Sequence, residues 1–142
     1  MKDDFDTHNH NMDKYIKNGV CYMAKYISVR GWIECDNIQI HTIKRIISNY
    51  ELRVDFGSII DYESIKLYNK GWCYPKEIIN WTTCIFYGAD VKEYCLDFIK
   101  NEIKEILKEI EEIEGMFILK YEEGERRCWK IVDAQIIEKI IN

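Results

Sequence analysis

The chain has a single proline, Pro75, and only 7 glycines in 142 residues. Together with 47% hydrophobic residues, that excludes collagen-like, low-complexity and intrinsically disordered chains. Histidine is scarce too, with His8 and His10 near the start and His41 alone in the remainder. That removes most nucleophile–base pairs and most metal-ligand sets. No apolar run is long enough to span a membrane, and residues 1–18 lack the apolar stretch of a signal peptide. The six cysteines include no C-x-x-C pair. Phosphate-binding glycine loops, G-x-S-x-G and H-E-x-x-H are absent as well.

From these gaps we expect a cytoplasmic, non-catalytic protein with reduced thiols, no cofactor and no membrane partner. Cys21, Cys84, Cys95 and Cys128 lie in apolar periodic runs, where free cysteine acts as a small hydrophobe. A Cys73–His41 catalytic pair has only the availability of its two residues behind it. A metal site built from His8, His10, Asp3, Asp4 and Asp6 would have to overcome the ordering entropy of a polar leader.

With 25 acidic and 20 basic residues the net charge is −5. A protein-wide negative charge argues against a general nucleic-acid binder, which needs a basic face to displace counterions. It fits ordinary acidic solubility, or steering towards a basic protein partner. The preference for Ile, Lys and Asn over Ala and Arg points to an AT-rich bacterial or phage genome.

The length fits one domain, read as a polar leader over 1–18 and a single α+β domain over 19–142. Alternation over 20–35 predicts a long strand, or two with a kink near Arg30-Gly31. Asp36 and Gln39 form a capping box for a helix over about 37–50. Leu52 to Phe56 reads as a short strand, Asp61 to Tyr68 as a short helix, and Trp72 to Pro75 as an extended loop. A strand follows over 80–88. Asp90 with Glu93 reads as a second capping box, opening a helix with Leu96, Ile99, Ile103, Ile106, Ile110 and Ile113 on one stripe. Gly115 is its expected stop. That stripe suits packing on a sheet, with a dimer-forming helix as the alternative. Strands over 116–122 and 126–132 flank Glu123-Gly124, and Asp133-Ala134 turns the chain into a last strand over 135–141. The sum is an antiparallel sheet of about five strands with two amphipathic helices on one face, ferredoxin-like or a related split β-α-β arrangement.

Residues 68–88 concentrate Trp72, Tyr74, Trp81, Phe86 and Tyr87 beside the only proline. Loop aromatics serve as stacking platforms or protein hot spots, unless they fold back to cap the sheet. Trp32 beside Arg30, and Arg126 with Arg127 beside Trp129, extend the same candidate surface. In size, acidity and poverty of motifs the chain resembles bacterial immunity proteins and phage anti-defence inhibitors. The likeness is one of type, and it implies a protein that neutralises a basic toxin or defence protein, as a monomer or homodimer. The second reading is a nucleotide-like or other small ligand, its base on Trp72 or Trp81 and its phosphates met by Arg126 and Arg127. An enzyme without a recognisable signature is the third.

Overall fold

A computed structural model describes residues 14–17, 20–23, 25–53, 62–81 and 83–141. Strands β1 (Lys14–Lys17) and β2 (Val20–Met23) pair antiparallel as a small separate sheet. Residues 14–17, grouped with the leader by composition, therefore belong to a strand. The rest of the leader, with His8 and His10, lies outside the described residues.

The main sheet is built from β3 (Tyr26–Cys35), β4 (Trp72–Cys73), β5 (Thr83–Lys92), β6 (Glu114–Tyr121), β7 (Arg126–Val132) and β8 (Gln135–Ile141). Its six strands lie in the order β4-β5-β3-β6-β7-β8, every neighbouring pair antiparallel. Among the described residues three helices accompany it, α1 (Asn37–Arg53), α2 (Tyr62–Asn69) and α3 (Leu96–Glu109). The fold is thus α+β, with a six-stranded antiparallel main sheet and three helices among the described residues, where a sheet of about five strands with two helices is expected from sequence. Since β5 lies between β3 and β4, those two run in the same direction, and α1 and α2 connect them. By the same logic β5 and β6 run in the same direction on either side of β3, joined through α3.

The first helix begins where the sequence signals it. The Gln39 amide N–H donates to Asp36 Oδ1 at 2.8 Å, and the Asp36 N–H donates to Gln39 Oε1 at 2.9 Å. The helix then runs to Arg53, so Leu52 and Arg53 are helical rather than the start of a strand. Trp72 and Cys73 form β4, not an extended loop.

The second capping box does not form. Asp90 is a strand residue whose carboxylate accepts from Arg30 Nη2 at 3.2 Å, and β5 continues to Lys92. Pairing of Ala89–Lys92 with Tyr26–Val29 buries Val91, which a helix start here would forfeit. A single 3-10 turn, Glu93–Cys95, then leads into α3. This helix stops at Glu109, before Gly115. Gly115 instead lies in β6, where a Cβ would come within 2.3 Å of the Trp32 carbonyl oxygen. It is glycine because β3 passes too close for a side chain.

Alternation along the strands divides the sheet into two faces. One buries Ile27, Val29, Ile33, Ile85, Val91, Phe117, Leu119 and Ile131 in a cluster with Ile40, Ile43 and Ile47 of α1 and Ile99, Ile103 and Ile106 of α3. Tyr50 of α1 stacks on Phe98 of α3 with centroids 5.4 Å apart. The α3 stripe is therefore consumed inside the chain. No described helix covers the other face.

Candidate functional site: the open face of the sheet

The face without a described helix on it, the open face, carries every second residue of the six strands. At its centre Trp32 of β3 stands directly opposite Phe86 of β5 on one side and Met116 of β6 on the other. Core pressure would bury such side chains, yet Trp32 is 39% and Phe86 53% exposed. Ile118, Cys128 and Ile137 continue the apolar surface across β6, β7 and β8. Cys73 and Cys84 face the same side next to Phe86 and Glu34.

Charge on this face is segregated. Lys120, Arg126, Lys130 and Lys139 project from β6, β7 and β8, all exposed, and make no ion pair among the described residues. Lys120 and Arg126 are direct cross-strand partners, a like-charge juxtaposition that costs stability. Arg30 lies one row in and pairs with Asp90. The other carboxylates of the face, Glu34 and Glu114, are cross-strand partners at the opposite end. There they border a cleft of about 230 Å³ lined also by Asp36, Gln39, Glu112 and Trp81.

The candidate residues scatter over this frame. Trp32 and Arg126 lie on the open face, and Trp81, 83% exposed, stands at the acidic cleft. Arg127 points to the opposite face, as alternation requires of the residue after Arg126. It donates to Glu125 at 2.9 Å and to Glu138 at 2.9 Å, and its guanidinium lies over the Tyr121 ring. Tyr74 is half-buried beneath the Lys44 ammonium. Trp72 corrects the expectation of a loop indole offered to solvent: it is 6% exposed, edge-on to Tyr87 and Phe117. A nucleotide held between Trp72 and both arginines has no common surface here. The residues the sequence reading passed over are Met116, Lys120, Lys130 and Lys139, and it placed Phe86 with the loop aromatics. Their signal was present as period-two alternation, with apolar or basic side chains opposite the buried positions.

Two carboxyl groups complete the electrostatics, one buried and one at the surface. Glu102 of α3 is fully buried and accepts from Trp72 Nε1 at 2.9 Å. Burial pushes its carboxyl up to about 8; the hydrogen bond from Trp72 opposes that shift, and the nearby Glu51 adds to it. Glu138, by contrast, is raised by burial but held below the usual range overall, by hydrogen bonds from Trp129, Arg127 and Lys100. His41 lies in the helix layer and Cys73 on the open face, so the sheet separates them. Among the described residues no group of three or more His, Cys, Asp or Glu is placed to hold a metal ion, and no helix is long and apolar enough to cross a membrane.

Comparisons with protein-family models, curated proteins and solved structures give no match to the chain.

Proposed function

We propose that this is a non-catalytic binding protein that neutralises a protein partner, with the open sheet face as its docking surface. The observation that supports this is the Phe86–Trp32–Met116 row at the centre of a regular sheet face, with Phe86 and Trp32 exposed. Contact surfaces concentrate Trp, Phe, Met and Arg at their centres and ring them with charge, as Arg30, Lys130 and Glu34 do here. The β-α-β connections, interleaved in the order β4-β5-β3-β6, make a ferredoxin-like core on this reading, and β7 and β8 widen its open face. A toxin or defence protein of bacterial or phage origin is the partner type that the chain's size and lack of motifs suggest.

Site-directed photocrosslinking tests the reading. Benzoylphenylalanine in place of Trp32 should yield adducts in cells expressing the protein, and Phe86→Ala in the same chain should reduce them. The same group at Lys104, exposed on the helix layer, should yield none above background. Equal yields at 32 and 104 would remove the open face as the docking surface.

A further inference from the structure

We infer that the open face binds single-stranded nucleic acid, its bases stacked on Trp32 and Phe86 and its phosphates met by Lys120, Arg126, Lys130 and Lys139. The inference rests on the proposed function only in taking the open face as the docking surface; its occupant is a nucleic acid in place of the toxin or defence protein. A net charge of −5 argues against such a ligand only if charge is spread evenly, and it is not. The acidic residues of the helix layer are partly spent in internal pairs, Arg45 with Glu109 and Lys108 with Glu105. The basic end of the open face keeps four exposed cations without an acidic partner among the described residues.

Setting Lys120 directly against Arg126 destabilises the isolated sheet, and a polyanion lying across β6 and β7 reverses that cost. Adjacent strands lie about 4.8 Å apart, so the cations on β6, β7 and β8 form a track that a flexible backbone can follow. Beside it, the two ring faces on β3 and β5 suit unpaired bases, whose π-faces stack on aromatic side chains regardless of sequence. Glu34 and Glu114 close the far end and repel phosphate, which confines the strand to the basic half. Asp90 is already neutralised by Arg30. A duplex offers no free bases to the rings and is the weaker ligand.

Fluorescence anisotropy with labelled uridine and thymidine homopolymers of about fifteen nucleotides tests this. We expect binding to at least one of them, with quenching of tryptophan emission that Trp32→Phe abolishes. Between about 50 and 200 mM salt the affinity should fall on a log–log slope of about −2 to −3, as release of three or four counterions from a single strand requires. Trp32→Ala and Phe86→Ala should each weaken binding by about fivefold to a hundredfold. Lys120→Glu with Arg126→Glu should weaken it more than tenfold and flatten the salt slope, while Trp81→Ala leaves it unchanged. Circular dichroism reports whether each variant folds, and Trp32→Phe serves if Trp32→Ala does not.

No binding to either homopolymer at about 50 mM salt overturns the inference. So does binding that follows the lysines but ignores Trp32 and Phe86, which is ionic attraction alone. Tighter binding of polyglutamate than of either oligonucleotide overturns it in favour of an acidic protein partner. In that last case photocrosslinking at position 32 still gives adducts, so the docking surface survives and the nucleic acid does not.

Discussion

The indole Nε1 of Trp72 donates to Oε1 of Glu102 at 2.9 Å, and the other carboxylate oxygen, Oε2, has no partner among the described residues. Asn69 Oδ1 is the second buried oxygen left without a partner, while Asn69 Nδ2 donates to Glu51 at 2.8 Å. A proton on Glu102 removes the buried negative charge that an unpartnered Oε2 would otherwise carry. The neutral acid is therefore the form the fold accommodates, in line with a carboxyl raised to about 8.

The stability consequence has a definite sign. The unfolded carboxyl ionises near its ordinary value of 4.5 while the folded one keeps its proton to about 8. Stability from this group is complete below pH 4.5, declines as pH rises, and is lost once pH passes 8. The steepest loss is about 1.4 kcal/mol per pH unit. Glu102→Gln keeps the acceptor for Trp72 and carries no charge at any pH. It should match the parent near pH 4.5 and exceed it progressively towards pH 8, in urea midpoints measured across that range. Parallel pH profiles for the two proteins would show that Glu102 is ionised in the fold.

The two tryptophans of segment 68–88 should separate cleanly. Trp72 is buried among Tyr87, Phe117 and Glu102, so Trp72→Ala both opens a cavity and strands the carboxyl. A loss of about 3–5 kcal/mol is expected. Trp81 is 83% exposed, and Trp81→Ala should change thermal stability by less than about 0.5 kcal/mol. Equal losses in thermal unfolding would contradict this placement.

That separation shows what the sequence could and could not convey. Local signals came through where one short stretch decides the outcome: the reciprocal Asp36–Gln39 hydrogen bonds, the turn at Asp133-Ala134, and the α3 stripe. Signals whose meaning depends on a distant partner misled. Asp90 with Glu93 has the spacing of a helix cap, but pairing with Tyr26–Val29 on another strand overrides it. Gly115 has the look of a helix stop, yet it is set by the closeness of Trp32. Trp72 has the sequence signature of a loop residue because β4 is two residues long and carries no periodicity. The cation cluster was invisible for a similar reason. Lys120, Arg126, Lys130 and Lys139 are spread along the chain, and only the register of β6, β7 and β8 puts them on one face.

Thiol labelling should follow the two faces of the sheet. Cys73 is exposed and should react first, followed by Cys84 and Cys128, which are partly covered on the same face. Burial also pushes the Cys84 thiol up, with Glu34 adding to it, so less thiolate is present to react. Cys35 and Cys95 are buried, and burial raises the Cys35 thiol to about 11. Both should label only on unfolding. Mass spectrometry of tryptic peptides after timed alkylation reads the order, and native labelling of Cys95 ahead of Cys73 would contradict the helix packing around it.

The β7–β8 hairpin offers a stabilising change. Val132 pairs with Gln135, leaving Asp133 and Ala134 as a two-residue turn with φ of 53° and 59°. Two positive φ values match the right-handed twist of the flanking strands, and Asp tolerates this region better than most residues. Ala134 does not: its Cβ crowds the backbone in the left-handed region at a cost of about 1–2 kcal/mol. Glycine removes that clash but brings extra freedom to the unfolded chain, which returns part of the gain. Ala134→Gly should therefore stabilise the protein by about 0.5–1 kcal/mol, seen as a higher urea midpoint at unchanged slope. Ala134→Val adds β-branching at the same φ and should destabilise by more than glycine gains. A midpoint that falls with glycine would mean that position 134 is not left-handed and that the β7–β8 register differs. Lys139 would then leave the row of Cys128, and the basic track would lose its outer strand.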